Sequence, residues 1–152
     1  MPLHRSHHLR RNRRSEPYRT YLVTTTTAGR VPWFLDFEAG RRVVAALRYC
    51  DQAGWCTTWT FVVMPDHLHW LFELGEELPL STLVGRMKSY ASRQVRHVSG
   101  GQGRVWQPGY HDHALRREED LAATARYVVG NPVRAGLVRS VRDYPLWDAA
   151  WL

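Results

Sequence analysis

The stretch Val62-Val63-Met64-Pro65-Asp66-His67-Leu68-His69-Trp70-Leu71-Phe72 decides how the rest of the chain is read. Side chains alternate along a strand, so His67 and His69 share one face while Leu68, Trp70 and Phe72 share the other. The apolar set seats the strand on a core. The two imidazoles converge from one side, an arrangement able to hold a divalent metal. Pro65-Asp66 reads as a tight turn, which makes residues 55–64 and 67–74 the two arms of a hairpin.

Working outward, the β-branched and aromatic run over 18–27, with four consecutive threonines, predicts a strand. Phe37, Val43, Val44, Leu47 and Cys50 recur at helical spacing and predict a helix over 36–52 that stops near Gly54. Leu80, Leu83, Val84, Met87, Ala91, Val95 and Val98 give a longer amphipathic helix over 80–98. After the glycine-rich loop at 99–103, residues 104–115 are expected as a further strand. Glu118, Glu119 and Asp120 are acids suited to a helix start, and a helix is expected from there to Gly130, stopped by Pro132. On it Leu121, Ala125 and Val128 form the core stripe. Asp120, Thr124, Tyr127 and Asn131 form a flank on which Tyr127 and Asn131 are neighbours one turn apart. The tail, 133–152, is expected as short pieces packed on the core.

The order strand, helix, two strands, helix, strand is the α+β, split-βαβ ferredoxin-like arrangement. An additional C-terminal helix carries the tyrosine. Two helices cover one sheet face, and His67 and His69 belong on the other. The length of 152 residues and 44% hydrophobic content suit one domain, expected over 18–152 behind a flexible basic arm at 1–17.

The net charge is +7, and every basic residue but Lys88 is arginine, the side chain that grips phosphate in a fork. A polyanionic partner follows, with Arg10, Arg11, Arg13 and Arg14 on the arm and Arg86, Lys88 and Arg93 on the long helix as candidate contacts. Cys50 and Cys56 are too few for a disulfide framework and fit a reducing cytosol. They could join the histidines in a zinc site, but Cys50 falls on the apolar stripe of its helix, the place of a buried free thiol. His111 and His113 repeat the i, i+2 pattern; a second metal pair is one reading, and a hydrogen-bonded supporting role for His113 the better one. No apolar run reaches the ~20 residues of a membrane span, and no signal-peptide core follows the arm, so a soluble intracellular protein is expected.

Three blocks in order carry a family resemblance: Val63-Met64-Pro65-Asp66-His67-Leu68-His69-Trp70, then Trp106-Gln107-Pro108-Gly109-Tyr110-His111-Asp112-His113-Ala114-Leu115-Arg116, then Tyr127-Val128-Val129-Gly130-Asn131-Pro132-Val133-Arg134-Ala135-Gly136-Leu137-Val138. Over about 18–147 the chain resembles the single-tyrosine, His-hydrophobic-His transposases of the IS200-like type, and within them the REP-associated tyrosine transposases. The resemblance implies Tyr127 as nucleophile, His67 and His69 as metal ligands, and Asn131 in the position of the third ligand. It implies Mg²⁺ or Mn²⁺ as cofactor and single-stranded DNA near palindromic repeat hairpins as substrate, cut through a 5′-phosphotyrosine. It also implies a cytoplasmic, nucleoid-associated monomer or homodimer. Two other readings stand beside it: a non-catalytic ferredoxin-like nucleic-acid-binding module, and a metal-dependent nuclease that uses water in place of tyrosine.

Overall fold

The computed structural model describes residues 15–116 and 119–149. The arm arginines Arg10, Arg11, Arg13 and Arg14, the acid Glu118 and the terminal Trp151 lie outside the described residues.

The elements run β1 (Thr20–Thr26), α1 (Phe37–Gln52), β2 (Cys56–Met64), β3 (His67–Leu74), α2 (Leu80–Ser99), β4 (His111–Ala114), α3 (Leu121–Val129), α4 (Asn131–Arg134) and β5 (Trp147–Ala149). All ladders are antiparallel and the strand order is β4-β1-β3-β2-β5. The first four strands therefore stand in ferredoxin-like order, with the histidine strand β3 at the centre of the sheet.

Local chemistry sets the boundaries. Asp36 caps α1 by accepting from the Glu38 amide at 3.0 Å. The turn out of α1 passes through Gly54 at φ 79°, a conformation open to glycine at little cost. Pro79 offers no side-chain cap to α2, and the hydroxyl of Ser15 accepts from the Leu80 amide at 3.1 Å instead. Residues 15–17, expected as part of the arm, are thus tied to the domain, and the Glu16 amide also reaches the Tyr21 hydroxyl at 2.8 Å.

The core lies between α1, α2 and one sheet face. Val43, Val44 and Leu47 of α1 and Leu83, Met87 and Ala91 of α2 meet Val23, Leu68, Trp70 and Phe72, all at most 1% exposed. The opposite face carries α3. Val128 packs on Val62 and Met64, and Ala125 on Leu71 and Leu115, with Leu121 at the edge of that cluster. Of the expected stripe Ala125 and Val128 are buried and Leu121 partly so, and Val129 is buried beside them.

One expectation is corrected. The strand expected over 104–115 shrinks to four residues, because Pro108 has no N–H for a ladder, Gly109 kinks the chain at φ 80°, and Val105, Trp106 and Tyr110 turn into the core. Lys88 holds this segment by donating to the carbonyls of Gln107 and Gly109 at 2.9 and 2.8 Å. The tail packs as the short pieces expected, and one of them adds a fifth strand beside β2. It is clipped there by the Tyr144 hydroxyl, which donates to the Val63 carbonyl, and by the Val63 amide, which donates to Leu146 at 2.8 Å.

Burial raises the Tyr144 hydroxyl to about 12, above its ordinary value of 10. A group whose pKa is raised on folding contributes stability that is complete below its unfolded value and lost as pH rises through the folded one. Alkaline denaturation followed by circular dichroism should therefore show stability falling between about pH 10 and 12. Tyr144→Phe should flatten that slope and cost about 1 kcal/mol at neutral pH for the lost hydrogen bond.

Candidate active site

His67 and His69 project from β3 onto the face crossed by α3. Their ring centroids are 4.8 Å apart and the planes nearly perpendicular at 84°. Both rings are held by Nδ1. That of His67 donates to Asp66 Oδ1 at 2.8 Å, and the other oxygen of Asp66 takes Nε of Arg30 at 3.0 Å. That of His69 lies 2.8 Å from Thr24 Oγ1, its register partner on β1. With Nδ1 engaged on each ring, Nε2 is the nitrogen left to face a ligand. Burial, then the charge of His67, then that of Arg134 push the His69 imidazole down to about 4. At neutral pH it is uncharged, the form that can coordinate a metal.

The end of α3 packs on the strand beside this pair. Met64 and Val62, on which Val128 packs, are the register partners of His67 and His69. The helix then breaks for a covalent reason. Pro132 cannot donate to the Val128 carbonyl, and Asn131 Nδ2 does so instead at 3.0 Å. Because the amide nitrogen is committed there, oxygen is the atom Asn131 can offer to a ligand. One turn back Tyr127 is 63% exposed, with the Arg134 guanidinium 4.0 Å above its ring and bonded to its carbonyl oxygen.

Other expected residues stand apart from this cluster. His113 binds both oxygens of Glu119 at 3.0 and 3.1 Å, tying β4 to the start of α3, in register with Leu22 and not with the histidine pair. Arg86 stacks over Trp55 at 5.0 Å on the helix layer, across the sheet from the histidines, and Arg93 lines the same groove. The ammonium of Lys88 is committed to backbone. Cys50 and Cys56 are buried on the helix side and burial raises both thiols, Cys50 to about 12, so they stay protonated. A zinc site with the histidines does not form from them. Among the described residues no three His, Cys, Asp or Glu side chains gather for a metal. Thr24, Arg30 and Arg134 had no assigned role in the sequence reading, and Asp66 only that of a turn residue. The carboxylate directly before His67 was the one signal available for them.

The model of the family described as "Transposase IS200 like" matches residues 20–131, which include the hairpin, the long helix and the tyrosine helix. The chain belongs to the IS200-like transposase family. Among curated proteins it is 33% identical over 86 residues to the REP-associated tyrosine transposase of Escherichia coli K12, covering 56% of this chain and 49% of that protein. The chain thus matches about half the length of that relative. Among solved structures, a REP-associated tyrosine transposase bound to a REP hairpin superposes with a TM-score of 0.68 at 24% identity, over 90% of this chain and 79% of that one. A crystal structure from Deinococcus radiodurans does so with a TM-score of 0.56 at 19% identity, over 79% of this chain and 95% of that one. These likenesses at low identity establish the fold. Among the described residues no helix is long and apolar enough to cross a membrane.

Proposed function

We propose that this IS200-like family member is a metal-dependent single-strand DNA endonuclease and strand transferase that acts beside palindromic repeat hairpins, with Tyr127 as its nucleophile. The observation that carries this reading is a pair of imidazoles 4.8 Å apart, each with Nδ1 tied back, on the sheet face packed by the helix that carries an exposed tyrosine. The hairpin substrate is inferred from the fold neighbour that was solved bound to a REP hairpin. The net charge of +7 suits a DNA partner.

The donor set fits a divalent cation. His67 and His69 would hold it through Nε2 and Asn131 through its amide oxygen, a mixed nitrogen and oxygen set that Mn²⁺ accepts more readily than Mg²⁺. Such an ion, when bound, offsets the charge on the phosphate oxygens and favours departure of the 3′-oxygen. The chain's own residues do the rest. Tyr127 Oη attacks phosphorus, the bond to the 3′-oxygen breaks, and the proton lost by the phenol is balanced by the one gained by the leaving hydroxyl. A phosphodiester replaces a phosphodiester, so the step reverses without an energy source and the freed 3′-hydroxyl can rejoin or transfer the strand.

The test mixes the protein, Mn²⁺ or Mg²⁺, and labelled single-stranded hairpins from repeats flanking its own gene, resolved on a denaturing gel. A covalent protein–DNA band is expected from the native chain and none from Tyr127→Phe, which should still bind the hairpin. Cleavage without an adduct would replace tyrosine by water as nucleophile. Binding without cleavage would make the chain a nucleic-acid-binding module.

A further inference from the structure

Arg134 ends the short helix that follows Tyr127 and reaches back to it. Its guanidinium lies 4.0 Å over the Tyr127 ring. One of its nitrogens donates to the Tyr127 carbonyl. The lie of the side chain across the helix end depends on Gly130, where a Cβ would sit 2.6 Å from Arg134 Nη1. A helix-capping cation needs only to reach a carbonyl, which lysine does as well. Arg134 does more, since its guanidinium carbon lies over the aromatic ring within cation–π distance and the residue stays exposed to solvent. With five N–H groups in one plane and one directed to the Tyr127 carbonyl, it keeps donors free beside the nucleophile.

We propose that Arg134 is a catalytic residue of the strand-cleavage reaction, contacting a non-bridging oxygen of the scissile phosphate while its stack fixes the orientation of the Tyr127 ring. The proposal rests on the tyrosine-nuclease reading above. For attack, phosphorus must come within about 3–3.5 Å of the phenol oxygen. A phosphate so placed lies beside a guanidinium already packed on the same ring, and the fork donates to the oxygens whose charge grows as the new bond forms. The chemistry is unchanged: the Tyr127 oxygen-to-phosphorus bond forms, the bond to the 3′-oxygen breaks, and Arg134 neither gains nor loses a proton. The same donors serve the reverse step, in which the 3′-hydroxyl attacks the phosphotyrosine.

The experiment measures single-turnover adduct formation and, separately, hairpin affinity for the native chain, Arg134→Ala and Arg134→Lys. Arg134→Ala should slow adduct formation about 100-fold, the effect of removing one oxyanion donor. Hairpin affinity should stay within about threefold, which marks a contact made in the transition state. Arg134→Lys should remain at least about tenfold slow, because an ammonium neither stacks nor forks. Millimolar methylguanidinium should restore much of the rate to Arg134→Ala and none to Tyr127→Phe. Adduct formation by Arg134→Ala or Arg134→Lys at the native rate would overturn the proposal, as would a loss that methylguanidinium leaves untouched. If Arg134→Ala does not fold, the lysine variant, which keeps a helix-capping donor, decides by its rate at unchanged affinity. An adduct from the native chain with indifferent variants defeats the role of Arg134 alone, whereas no adduct from the native chain on any flanking hairpin defeats the tyrosine reading and this proposal together.

Discussion

His69→Ala is expected to abolish Mn²⁺-dependent adduct formation and to weaken Mn²⁺ binding by more than about 100-fold, since second-neighbour changes alone cost 10–100-fold at such sites. His67→Ala should behave alike, because the two ring centroids lie 4.8 Å apart and among the described residues no third His, Cys, Asp or Glu joins them. Manganese paramagnetic resonance follows the binding without any need for turnover. Asp66→Asn provides the graded comparison. The amide keeps the shape of the turn but supplies a weaker acceptor to His67 Nδ1 and loses the ion pair with Arg30. Manganese affinity should drop about 10- to 100-fold with the fold intact. Native Mn²⁺ affinity in His69→Ala would mean that the metal sits elsewhere, and the two imidazoles would then need another explanation.

The contrast between these residues shows what the sequence could and could not disclose. His67 and His69 were legible because strand alternation is a property of neighbours: Leu68, Trp70 and Phe72 had to turn to the core, which left the imidazoles only the other face. Leu121, Ala125 and Val128 were legible by the same logic at helical period. Thr24 was not, because its contact with His69 depends on the register of two strands 45 residues apart. Asp66 read as a turn residue, and it is one. Its carboxylate also reaches His67 and Arg30, which follows only from the way the hairpin closes against the loop that carries Arg30. The backbone partners of Lys88 were hidden for a related reason. A charge on the polar side of a helix looks solvated until a kinked segment, here 105–110, folds its carbonyls over the ammonium. Tyr127 and Asn131 were one turn apart by count, but what happens at their helix end is set by Pro132, whose missing N–H recruits the Asn131 side chain.

Trp70→Ala should have the largest effect on stability, about 3–5 kcal/mol, as for other aromatic truncations in a packed core. Trp70 has no exposed surface, lies 4.1 Å from the Phe72 ring, and donates from Nε1 to Thr58 Oγ1 at 3.0 Å. Its loss would open a cavity under the central strand and strip the Thr58 hydroxyl of that donor, so the loss in denaturant unfolding should exceed that of Leu47→Ala, a buried helix residue without a polar bond. Against a typical domain stability of about 5–15 kcal/mol, the variant would fold only marginally. The consequence reaches the site because Trp70 follows His69 on the same strand with its side chain on the opposite face. The packing that seats one face of β3 is what aims the imidazoles on the other. In the fraction of Trp70→Ala that stays folded, manganese affinity should therefore fall although no ligand has been touched. A variant as stable as the native chain would show that the helix layer, and not Trp70, holds the strand in place.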